Sequence, residues 1–410
     1  MINSWKAPRN LWKYDWVVSF PHYGPRAYHR ANPTGIAQTY VRREPDGVPS
    51  VGHWNESSIN LTYQQVSPGR LWSNEGWGGG TDTISDGRAA NVGYMRPWNL
   101  YRDTLHNADG SAAVSPGCAS GTVCHAWNLA RPQSAQLLAQ LTVYAAKIDH
   151  LYGKGWDGIW SDNVIGPTIG ASWYIPNHDA DRNGVVDPLA SFRQQWCNGL
   201  ALALKYLRDS LPGKYVGGNG AGAYWNSPAS GYGWKGDDPN AWWKYANTSL
   251  VEGMNQFQGD TDAFVSWLNQ WVGYADPYGQ PRLSAFFDAG GSSGLARMRW
   301  GLTLSLMAST YYAAPDEGWY DEYWGGALNK RGYLGQPTSP PVKLGNGIWR
   351  RDFTNGIALN NSTASAQTVS LGGSFRHLQG SQAPSVNDGS LVSSVTIPAQ
   401  DGLILLRTTG

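Results

Sequence analysis

Two short apolar segments of this chain end in a carboxylate. In "GWDGIWSDN" (residues 155–163) Asp157 leads a run suited to a buried strand, and Asp162 follows five positions later. In "YANTSLVEGM" (245–254) Asn247 and Glu252 repeat that spacing. An odd offset turns the two ends of a strand to opposite faces, so each carboxylate can have surroundings unlike those of the polar residue before it. Two such strands in one barrel bring a pair of carboxyl groups to one rim. Glycosidic bond cleavage needs that pair: one acid for the leaving oxygen, one carboxylate for the anomeric centre or for a water. Taken singly, Asp162 reads equally well as a turn cap and Glu252 as a surface residue; the pairing is what favours chemistry.

Such a pair needs an α/β scaffold, and the chain alternates strand-like and helix-like segments over about 330 residues. Strands are expected at 14–20, 35–41, 91–98, 156–162, 214–220, 247–253, 282–288 and 310–316. Before the fourth, apolar residues recur near helical spacing from Leu137 to Leu151, with Ser134 as cap and Gly153 and Gly155 as stop. Further helices are expected at 191–211, 261–275 and 294–309. Eight strands with intervening helices is the count of a (β/α)₈ TIM barrel, whose active site lies at the C-terminal ends of its strands. After the Pro-rich joint "GQPTSPP" come short β-rich runs split by Gly/Asn turns, the pattern of a small all-β sandwich. The expected division is a barrel over 1–334 and a β module over 335–410 that packs on it.

Composition narrows the function. With 31 Lys+Arg against 30 Asp+Glu, the formal charge is +1, and no basic field for nucleic acid exists. No stretch approaches the roughly 18 apolar residues of a membrane span, so no membrane insertion is expected. Trp and Tyr number 22 each against only 8 Phe. Both join a flat apolar face to a polar edge, which matches the C–H faces and hydroxyl rims of sugars, so the expected partner is a carbohydrate. Cys118 and Cys124 lie in a Gly/Ser/Pro-rich loop; a disulfide there would mean an oxidising compartment, consistent with a secreted or cell-surface protein. The first residues, "MINSWKAPRN", contain no apolar signal core. Cys197, in a helical pattern, is expected to be a buried free thiol.

Further site candidates follow the strands. His22 and Tyr23 come after the first, Arg96 and Trp98 after the third, and Asn163 after Asp162. Asn219 ends the fifth, where it can bond a sugar hydroxyl or hold the glycine turn. Asp288 ends the seventh, as a hydroxyl ligand, a replacement for one of the pair, or a helix cap. Trp98 and Trp160 are the expected stacking platforms. "PDEGWYDEYW" (315–324) reads as a mostly structural loop reaching toward the site, with Glu317 an outside candidate for catalysis. In "DADRNGVVD" (179–187), Asp179, Asp181, Asn183, the carbonyl of Val185 and Asp187 occupy positions 1, 3, 5, 7 and 9 of a Ca²⁺ loop, with Gly184 at 6. Position 12 is Ala190, so the usual bidentate Glu is missing. An ion here would be structural, since hydrolysis by two carboxylates needs no cofactor.

The order of these motifs resembles the bacterial glycoside-hydrolase-like (β/α)₈ barrels, with "DGxxxDN", "GN" and "DGxxxEG" at the fourth, fifth and sixth strands. Those barrels carry "WYDEY" after the eighth strand and a β domain ending "DGLILLR". The counterparts are Asp157–Asn163, Gly218–Asn219, Asn247–Gly253, Trp319–Tyr323 and Asp401–Arg407. The match runs from about residue 90 to the end, and Asn-Thr replaces Asp-Gly at 247–248. Carboxylates on strands four and six also resemble the α-galactosidase-like retaining group, which implies Asp162 as nucleophile and Glu252 as acid/base. One alternative is an inactive carbohydrate-binding or scaffold protein on the same fold. Another is a metal-dependent hydrolase, which the eight scattered His, with no HxH or HxxxH, disfavour.

Overall fold

The structure, a computed structural model, describes residues 2–4, 15–19, 25–40, 57–58, 105–111, 113, 124–125, 127–146, 155–161, 164, 177–221, 242–252, 261–279, 281–287, 294–313, 322–323 and 334–408. In chain order the elements are β1 (Ile2–Ser4), β2 (Trp16–Ser19), α1 (Arg26–Ala31), β3 (Ile36–Tyr40), β4 (Ser57–Ser58), β5 (His106–Asn107) and β6 (Cys124–His125). Then come α2 (Pro132–Ala145), β7 (Gly158–Ser161), β8 (His178–Asp179), α3 (Leu189–Ser210), β9 (Tyr215–Asn219) and β10 (Thr248–Glu252). The barrel part ends with α4 (Thr261–Val272), β11 (Leu283–Phe287), α5 (Leu295–Met307) and β12 (Tyr311–Ala313). The C-terminal strands are β13 (Val342–Lys343), β14 (Trp349–Asp352), β15 (Gly356–Asn361), β16 (Gln367–His377), β17 (Leu391–Ile397) and β18 (Asp401–Arg407).

Eight strands form one parallel sheet in the order β1-β2-β3-β7-β9-β10-β11-β12. Alternation divides their side chains between two environments. Trp16, Val18, Trp160, Leu250, Leu283, Ala285 and Ala313 share one apolar cluster. Their neighbours Ala37, Ile159 and Val216, and Val251, Phe286 and Tyr312, face the surrounding helices. The inner cluster joins distant strands, so the sheet is curled into a (β/α)₈ barrel. Gln38 on β3 donates across the interior to Thr248 Oγ1 on β10 at 3.2 Å, and Trp16 Nε1 donates to Gln38 Oε1 at 2.8 Å. Tyr311 on β12 packs edge-on to Trp16 on β2, ring centroids 5.7 Å apart.

The eight strands are not quite the expected eight. β3 pairs directly with β7, Gln38 opposite Gly158, so no strand from 91–98 stands between them. Residues 91–98 lie outside the described residues, and Ile2–Ser4 completes the count. α2 begins at Pro132, two residues before the expected cap. Proline suits the first turn, where its missing N–H has no partner to lose; Ser134 is buried inside the helix.

The C-terminal strands form an antiparallel sheet ordered β13-β14-β15-β18-β16-β17. Ile357, Leu359, Leu403 and Leu405 turn to the module's own core, shared with Val369, Phe375, Val395 and Ile397. Ala358 and Ile404, of opposite parity, join the core around α5. The module therefore packs on the barrel, as expected. Arg299 on α5 makes a two-pronged ion pair with Asp401, at 2.8 and 2.6 Å, and both side chains are buried. A Cβ at Gly402 would lie 2.5 Å from Arg299 O, so only glycine lets β18 approach the helix this closely. Asn360 Nδ2 donates to Trp300 O and Thr303 Oγ1, and Arg351 Nη1 to Leu306 O and Ser309 Oγ. Glu322, from the "WYDEY" motif, is 2% exposed and accepts hydrogen bonds from the Gln382 N–H and from Asn387 Nδ2. It binds the chain that follows the eighth strand to the module.

Candidate active site

The rim is set by register. Ser161, the last residue of β7, lies opposite Gly218, and Asn219, the last of β9, opposite Leu250. Glu252 ends β10, opposite Phe287 at the end of β11. On β10, Thr248 and Leu250 turn inward, and position 252 continues that parity. On β7 the inward residue is Trp160, two positions before Asp162. β9 alone separates the two strands, and it meets each through a glycine: a Cβ at Gly217 would lie 1.9 Å from Thr248 O, and one at Gly218 1.6 Å from Ser161 O.

The polar residues that lead these two strands have matching structural jobs. Asp157 donates its N–H to Ala37 O at 2.8 Å and accepts the Ala37 N–H on Oδ2 at 2.7 Å. Asn247 treats Val216 in the same way, N–H to O at 3.0 Å and Oδ1 from N–H at 2.7 Å. Each seals the start of its strand against the preceding neighbour, and His29 Nε2 also lies 3.2 Å from Asp157. A carboxamide oxygen accepts as a carboxylate does, so the Asn at 247 leaves the clamp intact. The repeated spacing thus combines a clamp below with a carboxylate position above.

Of the sequence-derived candidates, Asp162, Asn163, His22, Tyr23, Arg96, Trp98 and Asp288 lie outside the described residues, as do Glu317 and Cys118. The side chains of Glu252 and Cys124 also lie outside them. Asn219 is partly exposed at the rim. Trp160 is a correction: it is 1% exposed and packs edge-on to Trp16, centroids 5.6 Å apart. It fills the barrel and offers no face to a sugar. Cys197 is the buried free thiol expected.

The acidic loop between β8 and α3 is well ordered by its own bonds. Carboxylate oxygens of Asp179, Asp181 and Asp187 lie within 4.8 Å of one another. Asp179 accepts the N–H groups of Gly184 at 2.8 Å and Asn183 at 3.1 Å, and Asp187 accepts that of Ala180 at 2.6 Å. Asn183 Oδ1 accepts the Val185 N–H at 2.8 Å, and the Val185 side chain is exposed. Burial pushes the Asp179 carboxyl up, but these N–H bonds outweigh it and hold the pKa below the ordinary value. Asp179 therefore stabilises the fold above about pH 4, and that contribution is lost as pH falls through its folded-state value.

The curled parallel sheet, with an antiparallel module on α5, makes the protein a (β/α)₈ barrel with a C-terminal β domain. The chain belongs to the hypothetical glycosyl hydrolase family 15, whose model matches residues 144–357, just over half of its length. No curated protein matches the sequence. Among solved structures it is similar to Amy13B of Eubacterium rectale, at 10% identity and TM-score 0.47 over 97% of this chain and 88% of that one. It is also similar to an alpha-amylase from Lactobacillus plantarum, at 11% identity and TM-score 0.44 over 96% and 91% of the two chains. An alpha-amylase from Malbranchea cinnamomea matches at 12% identity and TM-score 0.41, over 97% and 86%. Likenesses at this level carry no inference about substrate or mechanism. Among the described residues no helix is long and apolar enough to cross a membrane.

Proposed function

We propose that the protein is a glycoside hydrolase that cleaves an O-glycosidic bond of a poly- or oligosaccharide with Asp162 and Glu252, with retention of configuration. The observation that carries this reading is the inward parity of Trp160 and Leu250 on strands separated only by β9. Continued by two residues on each strand, that parity aims both carboxylates at the barrel axis. Two strand spacings of about 4.8 Å and an offset of two residues, about 6.6 Å, separate the backbone positions by roughly 12 Å. Two side chains reaching inward shorten this toward the carboxyl separations of glycosidases, about 5–5.5 Å for retention and 6.5–9.5 Å for inversion.

In this mechanism Glu252, as acid, protonates the leaving oxygen while Asp162 attacks the anomeric carbon. Glu252, now the base, then takes a proton from the water that frees the sugar. Asn219 stands between them as a hydroxyl ligand. The test is a glycan panel with anomer-resolved product analysis, on the wild type and on Glu252→Gln. Hydrolysis by the wild type alone, with the starting anomer retained, is expected. Binding without hydrolysis would make the protein a carbohydrate-binding one.

The same proposal gives the loop at 179–187 a structural Ca²⁺. Asp179, Asp181, Asn183, Val185 and Asp187 are the donors, and the three converging carboxylates support it. Adding Ca²⁺ after chelation is expected to raise the thermal midpoint of the wild type and not of Asp181→Ala. Equal midpoints with and without Ca²⁺ would exclude the ion.

A further inference from the structure

A second groove, of mixed polar and apolar lining, lies on the opposite side of the barrel from the rim. It runs between α4 and the Pro-rich joint, has a volume of about 660 Å³, and is lined by Ser266, Thr338, Ser339, Trp349 and Arg351 among others. Arg351 contacts Ser309, just before β12 begins, so the groove sits near the N-terminal ends of the strands. Trp349 and Arg351 are two apart on β14 and share the face turned to α4; Arg350, between them, bonds Asp352 instead.

The groove is preorganised around one cation. Arg351 Nη1 donates to Leu306 O at 2.7 Å and Ser309 Oγ at 2.8 Å, and Nε donates to Ser339 O at 3.2 Å. These fix the guanidinium plane, while Nη2, with two N–H donors, makes no hydrogen bond among the described residues. No carboxylate there pairs with Arg351 either. The C-terminal end of α5 offsets roughly half a charge, and the Phe353 ring, its centroid 5.8 Å from Arg351 Cζ, adds a cation–π contact. Burial pulls the guanidinium below the ordinary arginine value, with no acid to restore it. The Trp349 ring is held as well, its Nε1 donating to Asp262 Oδ1 at 3.1 Å. The hydroxyls of Ser266, Thr338 and Ser339 have no partner among the described residues.

A fixed aromatic ring, a half-desolvated guanidinium edge and three open hydroxyls suit a sugar that carries a carboxylate. We infer that this groove is a binding site for an acidic sugar residue, a hexuronate. Its carboxylate would meet Arg351 Nη2, its ring face Trp349, and its hydroxyls the serine and threonine side chains. Such a site would anchor an acidic polysaccharide away from the point of cleavage. The inference takes only the ligand class, a glycan, from the proposed function.

The test is ligand-detected NMR titration of the full chain with D-glucuronate, D-glucose and acetate in parallel. Ser266→Tyr and Thr338→Tyr fill the groove from exposed positions on opposite walls, and their thermal midpoints should match the wild type. Glucuronate is expected to bind the wild type at least ten-fold more tightly than glucose or acetate, and each blocked variant at least ten-fold more weakly. No glucuronate binding overturns the inference, as does undiminished binding in both variants. Acetate binding as tightly as glucuronate removes the sugar, and glucose doing so removes the carboxylate; either overturns it. Because the titration reads binding and not turnover, a chain that binds glucuronate but cleaves nothing sinks the active-site proposal and leaves this one standing.

Discussion

Asp162→Asn and Glu252→Gln should each lower glycoside turnover by roughly 10²–10⁴-fold, the usual worth of a positioned acid, base or nucleophile, and leave the thermal midpoint unchanged. The stability half of this expectation has a structural reason. The side-chain bonds that close the starts of β7 and β10 come from Asp157 and Asn247, below the rim, and the rest of their register is backbone ladder. A change at 162 or 252 spares them. The two variants should also differ in kind. Without the acid, Glu252→Gln should still release the leaving group of activated aryl glycosides in a fast first-turnover burst, since that group needs no proton, and then turn over slowly because the base for the second step is gone. Asp162→Asn should lose activity on both substrate types, because no covalent intermediate can form. Near-normal turnover by either variant on a natural glycan would remove that residue from the mechanism, and Asp288 would be tested next.

The largest stability effect is expected at the junction of barrel and module. Arg299 and Asp401 are 7% and 5% exposed and meet through two hydrogen bonds. Removing one partner leaves the other charge buried and unpaired. Arg299→Met or Asp401→Asn should therefore cost about 3–5 kcal/mol in chemical denaturation. Replacing both by apolar residues should cost much less, because no orphan charge remains. The double variant is thus expected to be more stable than either single one. Additive losses would mean that Arg299 and Asp401 are not energetically coupled, and would overturn this expectation.

The sequence makes the fold legible where strands pair with sequence neighbours. β9, β10 and β11 sit inside their expected spans because apolar runs and glycine turns bound them. β1 was missed because three residues in "MINSWKAPRN" carry no alternation, and their only pairing is with β2. The expected strand at 91–98, after a long stretch rich in Gly, Ser and Trp, has no place between β3 and β7, which pair directly. Excess Trp points to sugar platforms, but the alternation along β7 turns Trp160 into the barrel core. The repeated Asp157/Asn247 spacing was visible. Its meaning, a side-chain oxygen closing the first N–H of a neighbouring strand, needs the partner strand to be known.

The direct pairing of β3 with β7 also bears on how the chain is made. Asp157 and Ala37 are bonded across 120 positions, whereas Asn247 and Val216 are bonded across 31. Closing the longer loop costs about 1.2 kcal/mol more in chain entropy. Strands β9 to β11 can therefore zip from near neighbours, and so can β1 to β3, which pair with one another within residues 2–40, while the seam between β3 and β7 waits. On the ribosome the wait is physical: at about 5–20 residues per second, β3 emerges roughly 6–24 s before β7. Through that interval its parallel edge has no partner and is open to pairing with other chains. Pulse-labelled exchange on refolding chains should find the amides of β9 to β11 protected before those that bond across the seam of β3 and β7; the reverse order would contradict it. For this barrel, the seam that joins the first three strands to the rest is the last to be sheltered.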